Sequence, residues 1–405
     1  MGRIGPGLAS VPLQDHPGRH DREDPDRAHG DDERPDGIAG GVRVAVEGLE
    51  DEDGAVQEHD QGNTYARERF PVHRQGNGRS PAPIVLGMAA FFGFHMPTFT
   101  FRGVSNDRLF DRVVENAKAA ERAGFDLVTV MDHLYQIRGI GPETEPMMEA
   151  YTTLSALATQ TSRVKLGTLV TGVTYRNPAL LAKMVTTLDV ISKGRAILGV
   201  GAAWNEDEHR GYGFEFPPIA RRMDRLDEAL TIARLMFTEE RPSFEGKYYR
   251  IDRAVNVPRP IQPGGPKILV GGGGERRTLR LLAQHGDIGH WFGGNLEDLK
   301  RKKQVFEQHC EAVNRDPSEV LLTVGLTLVL AENEKDARAL MEGLSPERRA
   351  MAQTANVAEA AEVIGKYLDA GFGGFTFNNN VLQTPESMGL AGEVIKAVRG
   401  SGVPA

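Results

Sequence analysis

The chain has 405 residues, enough for one large domain or two ordinary ones, and carries a formal net charge of −8. That charge, without any Lys/Arg-rich run interleaved with aromatics, argues against a nucleic-acid surface and favours a small-molecule partner. Cys310 is the only cysteine, which excludes an intramolecular disulfide and fits a reducing compartment. No apolar signal core is present, and no stretch approaches the roughly 18 apolar residues of a membrane helix. The sequence therefore predicts a cytoplasmic protein without membrane contact.

Residues 1–82 differ in composition from the rest of the chain. They are rich in Asp, Arg, Gly, Pro and His and contain few large apolar residues, so they cannot build a core. We interpret them as a disordered extension or as the product of a start codon assigned too far upstream; a regulatory or docking tail is the alternative. The folded domain is predicted over residues 83–405.

Short β-rich runs alternate with longer helical patterns from Ile84 onward. The eight strand candidates are residues 84–93, 127–133, 164–172, 195–203, 267–274, 288–294, 320–330 and 374–380. Apolar strands that alternate with helices indicate a parallel sheet buried on both faces. Eight such units predict an α/β fold, a closed (β/α)8 TIM barrel, with an inserted hairpin and proline-rich connection after strand four. A doubly wound open sheet is the alternative.

Polar residues at the carboxyl ends of barrel strands are the main functional candidates, because active sites of such barrels lie there. Strand two ends in Asp132 and His133. An imidazole titrates near neutrality and can exchange a proton with a substrate, and the neighbouring carboxylate can orient the loop. The alternative is that Asp132 caps a short helix and His133 is a satisfied core histidine.

Strand five ends in four consecutive glycines, residues 271–274, followed by Arg276 and Arg277. Bare amides before a helix that begins near Glu275, with arginines close by, suit a phosphate group. A flexible turn is the alternative, since neither established nucleotide fingerprint is matched.

Three further groups of residues are weaker candidates. Glu206, Glu208 and His209 lack the spacing of a helical metal motif, so a solvated helix start is favoured and no metal is expected. His290 and Trp291 either line a pocket or pack at the barrel mouth. His95, near the end of strand one, has no assigned role.

The residues after position 83 resemble the luciferase-like monooxygenase superfamily, and specifically its branch of oxidoreductases that use the 5-deazaflavin coenzyme F420. The runs that carry the resemblance are MDHLYQ, TLVTGVTYRNPALLAK, GRAILGVGAAWNEDEHRGYGFEFPP, RMDRLDEAL and ILVGGGGERRTLRLLAQHGD. The resemblance implies a barrel whose mouth is crossed by the cofactor ring. It also implies a bulge or cis peptide behind the ring after strand three, and a cofactor phosphate at the end of strand five.

When the functional residues of the family are matched to this sequence by position, the resemblance implies roles for most residues of the predicted site. His133 matches a proton-transfer histidine of sugar-phosphate dehydrogenases in the superfamily, with Asp132 beside it. The cofactor-binding residues implied are Thr171, Gly172 and Val173 behind the ring, Gly201 and Asn205 facing it, and Gly271, Gly272 and Gly273 with Arg276 at the phosphate.

The sequence also departs from those sugar-phosphate dehydrogenases. Ala202 stands where they carry a catalytic Glu, and Ile137 stands where they carry a Trp. Sugar-phosphate oxidation is therefore not expected. Ala203 stands where a glycine is expected in the strand-four motif. Its methyl group is expected to narrow slightly the space for the cofactor ring.

The predicted function is hydride transfer between the deazaflavin and a small organic substrate, with His133 handling the accompanying proton. One alternative is an FMN-dependent monooxygenase that uses O2 and reduced flavin from a partner reductase. Others are a non-catalytic cofactor-binding protein and a hydrolase or lyase based on Asp132 and His133. The resemblance also implies a homodimer.

Overall fold

The computed structural model describes residues 90–293, 295–344, 346–378, 381–382 and 384–400. The predicted extension, residues 1–82, lies outside the described residues, as do residues 84–89 of the first strand candidate. Within the described part, no helix is long and apolar enough to cross a bilayer.

Eight parallel strands form a closed ring. They are β1 (Phe91–Met96), β2 (Leu127–Val130), β3 (Lys165–Thr168), β4 (Ala196–Gly201), β5 (Lys267–Gly271), β6 (Ile288–Trp291), β7 (Leu321–Gly325) and β8 (Gly374–Asn378). Each strand pairs with the next along the chain, and β8 closes the ring against β1 with Phe91 opposite Gly374. The (β/α)8 barrel is thereby confirmed and the open sheet is excluded.

Helices surround the ring. They are α1 (Leu109–Ala123), α2 (Ala150–Gln160), α3 (Pro178–Ser192), α4 (Glu206–Tyr212), α5 (Ile219–Thr238), α6 (Thr278–His285), α7 (Leu296–Ala312), α8 (Glu334–Glu342), α9 (Pro346–Met351), α10 (Val357–Asp369) and α11 (Pro385–Gly400). Local sequence explains α3: the Asn177 side chain accepts a hydrogen bond from the Ala179 amide at 2.9 Å, and Pro178 occupies the first helical position.

Alternate strand residues build two separate cores. Residues such as Phe92 and Phe94 belong to the large core between strands and helices. A smaller cluster that includes Leu127, Ile197 and Ile288 fills the barrel interior. This division follows from the period of two in a strand and leaves the next interior layer, nearer the carboxyl ends, for other side chains.

The predicted strand boundaries needed correction at the carboxyl ends. β1 lies further along the chain than its candidate and ends at Met96. β4 and β5 end at Gly201 and Gly271, because Ala203 (φ 66°) and Gly272 (φ 112°) adopt left-handed backbone conformations that leave the sheet.

Two strand candidates are divided. The third is interrupted by a cis peptide between Leu169 and Val170, after which Thr171–Gly172 pairs separately with β4. The seventh ends at Gly325, and Leu328–Leu330 pairs with Gln353–Ala355 outside the barrel.

The insertion between α5 and β5 contains the predicted hairpin, formed by Phe244–Glu245 and Arg250–Ile251 in antiparallel register. Its proline-rich connection leads directly back to β5.

Candidate active site

The Glu208 carboxylate is the centre of the polar network at the barrel mouth. Its Oε2 atom lies 2.7 Å from His133 Nδ1, accepts a hydrogen bond from the Tyr175 hydroxyl at 2.6 Å and lies 3.4 Å from Asn205 Nδ2. Its Oε1 atom accepts from the Leu134 amide. The Glu208 side chain has no solvent exposure. One carboxylate therefore connects the loop after β2, the loop after β3 and helix α4.

Burial by itself raises the pKa of Glu208, but the contacts with His133, Tyr175 and Leu134 outweigh burial and hold this pKa below its usual range. The carboxylate is therefore ionised at neutral pH and acts only as an acceptor. His133 must then carry its proton on Nδ1, which leaves Nε2 to exchange a proton with a substrate.

His133 keeps limited access to solvent, with 13% of its side chain exposed. The Trp204 ring stands edge-on to its imidazole at 5.7 Å, and Trp204 is itself 54% exposed. A large apolar ring that stays exposed beside a reactive group is suited to contact with a ligand. This geometry favours the predicted proton-transfer role of His133 over a satisfied core histidine.

The prediction of a solvated helix start for Glu206, Glu208 and His209 is wrong for two of the three residues. Glu206 is exposed, but Glu208 and His209 are fully buried. His209 Nδ1 donates to the Asn205 carbonyl at 2.6 Å, and its Nε2 lies 2.5 Å from the Thr174 hydroxyl. These contacts fix α4 against the β3 loop, and they leave His209 with a structural role.

Asp132 forms a buried ion pair with Arg176. The sequence analysis did not identify Arg176 as a site residue. Arg176 binds both carboxylate oxygens, at 2.5 and 2.9 Å, and also Glu149 Oε1 at 2.7 Å. No helix begins at Asp132, so the helix-cap alternative is wrong. Burial raises the pKa of the Asp132 carboxyl, and Arg176 opposes that effect. With both oxygens engaged, Asp132 positions the β2 loop that carries His133.

Thr171 has an internal partner for its hydroxyl. Thr171 Oγ1 lies 2.8 Å from the Tyr151 hydroxyl and 3.0 Å from Thr168 Oγ1, and Thr168 donates to the Gly199 carbonyl at 2.8 Å. Any contact of Thr171 with a cofactor would therefore come from its backbone.

Val170, which the sequence placed inside a strand, projects between the ends of β4 and β5. A Cβ atom at Gly271 would lie 2.8 Å from Val170 Cγ1, and one at Gly201 would lie 3.1 Å from Val170 Cγ2. A side chain at Gly271 would therefore displace Val170, and one at Gly201 would be in tight contact with it. Val170 directly precedes Thr171, Gly172 and Val173, the residues that the resemblance places behind the ring.

The glycine loop, residues 271–274, lies beside a lysine that the sequence did not identify. A Cβ atom at Gly273 would lie 3.2 Å from Lys302 Nζ on α7. Arg276 is exposed, whereas Arg277 is engaged with Asp224 and with the Ala220 carbonyl. The following helix begins at Thr278 instead of near Glu275. Lys302 and Arg276 are the cations placed to meet an anionic group at this loop.

His290 lies in the barrel interior, and Trp291 points to the opposite side of β6. His290 Nδ1 lies 2.8 Å from the Thr323 hydroxyl, which donates to the Gly289 carbonyl at 2.9 Å. Burial lowers the pKa of His290 to about 3. Trp291 packs edge-on against Phe372 at 5.5 Å in the outer core. His290 therefore lines the barrel interior, whereas Trp291 belongs to the core between the strands and the helices.

A parallel eight-stranded barrel with a carboxylate-oriented histidine and a glycine loop at one mouth defines a cofactor-binding barrel of the oxidoreductase type. The chain belongs to the luciferase-like monooxygenase family, whose model matches residues 91–393. The family resemblance is confirmed.

Relatives of this chain include F420-dependent dehydrogenases. An F420-dependent glucose-6-phosphate dehydrogenase of Intrasporangium calvum is 32% identical over 64% of this chain and 86% of the relative. An F420-dependent hydroxymycolic acid dehydrogenase of Mycobacterium tuberculosis is 32% identical over 56% of this chain and 62% of the relative.

Solved structures support the same fold. An F420-dependent secondary alcohol dehydrogenase in complex with an F420-acetone adduct superposes with a TM-score of 0.65 at 21% identity, over 77% of this chain and 100% of that one. A monooxygenase from Streptomyces bottropensis has a TM-score of 0.62 at 21% identity, over 78% and 99%. At these identities the likeness concerns the fold alone.

Proposed function

We propose that this protein is an F420-dependent oxidoreductase that transfers a hydride between the deazaflavin and a small organic substrate. The observation that carries the proposal is the His133–Glu208 pair at the barrel mouth. The F420-dependent relatives support the choice of cofactor.

When bound, the deazaflavin accepts or donates the hydride. His133 Nε2 takes the proton from a substrate hydroxyl during oxidation, or returns it to a carbonyl oxygen during reduction. Glu208 holds Nδ1–H, so the imidazole keeps its orientation, and the carboxylate stabilises the imidazolium that forms. Tyr175 and Asn205 hold the carboxylate in place. Trp204 excludes water from one side of the imidazole.

The residues present fit the cofactor at three places. The glycine loop with Lys302 and Arg276 suits its phosphodiester, because the Lys302 ammonium lies beside Gly273 and the exposed Arg276 follows the loop. Val170 provides an apolar surface between β4 and β5 for the ring. A buried, unpartnered nitrogen of His290 suits a polar group on the part of the ring inside the barrel.

The substrate class is limited by two residues. Ala202 is partly buried and Ile137 is buried, and neither offers a charge or an indole N–H to a sugar. We therefore propose a small alcohol or carbonyl compound in place of a sugar phosphate, despite the names of several relatives.

The second candidate is an FMN-dependent monooxygenase, which the description of the family as luciferase-like monooxygenases favours. A separate reductase would then supply reduced flavin. A non-catalytic cofactor-binding protein would not need the buried carboxylate behind His133. The homodimer and the cytoplasmic location stay predictions.

The test begins with calorimetric titration of the apoprotein with coenzyme F420 and with FMN. Micromolar or tighter binding of F420 alone supports the proposal, and preference for FMN together with O2 consumption supports the second candidate. The His133→Ala variant should then lose turnover while it retains F420 binding. His285→Gln, on α6, is the matched control and should behave as the parent protein.

A further inference from the structure

The Nε2 atom of His290 is a buried hydrogen-bond acceptor, and no described residue pairs with it. The Thr323 hydroxyl donates its hydrogen to the Gly289 carbonyl, so it can only accept from His290 Nδ1–H. The proton of the neutral imidazole is therefore on Nδ1, and Nε2 presents a lone pair. His290 is 1% exposed, and a buried acceptor without a donor costs free energy that a ligand donor would recover.

Space for such a donor exists over Gly325, at the end of β7. A Cβ atom at Gly325 would lie 3.5 Å from His290 Nε2 and 3.6 Å from Thr376 Oγ1, which are ordinary contact distances. A ligand oxygen at a slightly different position would be within hydrogen-bond reach of Nε2. The groups that we find against the His290 ring are Thr323, Gly325 and Phe292, and none of these three carries a charge. The acceptor thus stays neutral across the physiological pH range.

The position of His290 separates it from the reacting centre. His133 follows β2, whereas His290 is in β6, and these two strands occupy opposite sides of the eight-strand ring. A substrate hydroxyl that reacts lies beside His133. A ligand that extends from one wall of the barrel to the other would bring a donor to His290 while its reacting part lies beside His133.

We propose that His290 Nε2 accepts a hydrogen bond from the phenolic hydroxyl of the deazaflavin ring, and that this contact selects the deazaflavin over FMN. FMN carries a methyl group where the deazaflavin carries this hydroxyl, so FMN would leave the buried acceptor unsatisfied. The inference rests on the proposed function. A neutral acceptor favours the protonated phenol over the phenolate, because a lone pair facing a phenolate is repulsive.

The experiment compares dissociation constants of the full chain for coenzyme F420 and FMN in the parent protein, His290→Leu and Gly325→Ala. His290→Leu should weaken F420 binding about tenfold and leave FMN binding unchanged or tighter. Gly325→Ala introduces a methyl group into the space beside Nε2 at tolerated distances and should weaken F420 binding while the fold persists. Gly365→Ala, on α10 with nothing within 4 Å of the added Cβ, is the matched control.

Absorption spectra of the bound cofactor give a readout independent of turnover. At neutral pH the parent protein should hold more of the phenol form than free F420 at the same pH. An unchanged F420-to-FMN affinity ratio in His290→Leu would overturn the inference and leave the proposed function intact. A variant that raises the substrate KM without changing cofactor affinity would also overturn it, since the donor would then be a substrate hydroxyl. Absence of F420 binding in the parent protein would overturn both.

Discussion

His133 Nδ1 and Glu208 Oε2 lie 2.7 Å apart although 75 residues separate them in the chain. The contact joins the end of β2 to a helix after β4. It determines which imidazole nitrogen faces the barrel mouth.

Glu208→Gln should reduce kcat about a hundredfold with little change in cofactor affinity. The amide keeps the shape of the side chain but cannot stabilise an imidazolium at His133. Steady-state kinetics and a cofactor titration measure the two effects. Glu206→Gln is the control, since Glu206 is exposed two residues away. Equal turnover in both variants would exclude a role for Glu208 in proton transfer.

Tyr175→Phe should make the protein more sensitive to acid. Hydrogen bonds hold the pKa of Glu208 below its usual range, so its contribution to stability is present above the unfolded-state pKa and is lost as the pH falls through the folded-state pKa. Without the 2.6 Å bond from Tyr175, the folded-state pKa rises, the contribution becomes smaller, and its loss begins at a higher pH. Urea unfolding from about pH 7 to about pH 4 checks this. Parallel stability curves for the two proteins would contradict it.

Arg176→Met should destabilise the fold by about 3–5 kcal/mol, because it leaves Asp132 buried without its cation. Arg210→Met removes the exposed pair with Asp207 and should cost at most about 1 kcal/mol. Chemical denaturation of both variants gives the comparison. Similar small losses would show that Arg176 contributes no more than a surface cation.

Gly271→Ala should be destabilising in the parent protein and much less so when Val170 is also changed to Ala. The added Cβ would lie 2.8 Å from Val170 Cγ1, and removing both Val170 methyl groups frees that space. A double-mutant cycle on unfolding free energies should give a coupling of about 1 kcal/mol or more. Additive losses would mean that Gly271 is needed for some reason other than Val170.

Lys302→Gln should weaken binding of the phosphate-bearing cofactor about tenfold and leave binding of the phosphate-free ribityl deazaflavin unchanged. Lys300→Gln, an exposed residue of the same helix paired with Glu297, is the control. Calorimetry with both ligands separates a phosphate contact from a general loss of affinity, which would instead weaken both.

The barrel could be predicted from the sequence because apolar strands and amphipathic helices alternate eight times. The spacing of apolar residues within each segment is enough to distinguish a strand from a helix. The position of His133 followed from the barrel rule. Glu208 could not be distinguished from Glu206 and Asp207, since three consecutive acids look alike until their burial is known. Arg176, Val170 and Lys302 act through contacts across strands and helices, for which no local pattern exists. His290 was identified as a candidate, but its inward direction depends on strand register.

The network around Glu208 also divides the barrel mouth into two unequal halves. From β2 to β4, ion pairs and shared hydrogen bonds tie the loops to one another, so a substitution in one loop disturbs its neighbours. Strand β5 ends in glycines, which have no side chains and so form no side-chain hydrogen bonds or ion pairs. Gly271 and Gly272 themselves must stay, because of Val170 and of a positive φ, so redesign of ligand preference has more freedom in the residues that follow them than in the hydrogen-bonded loops on the other side.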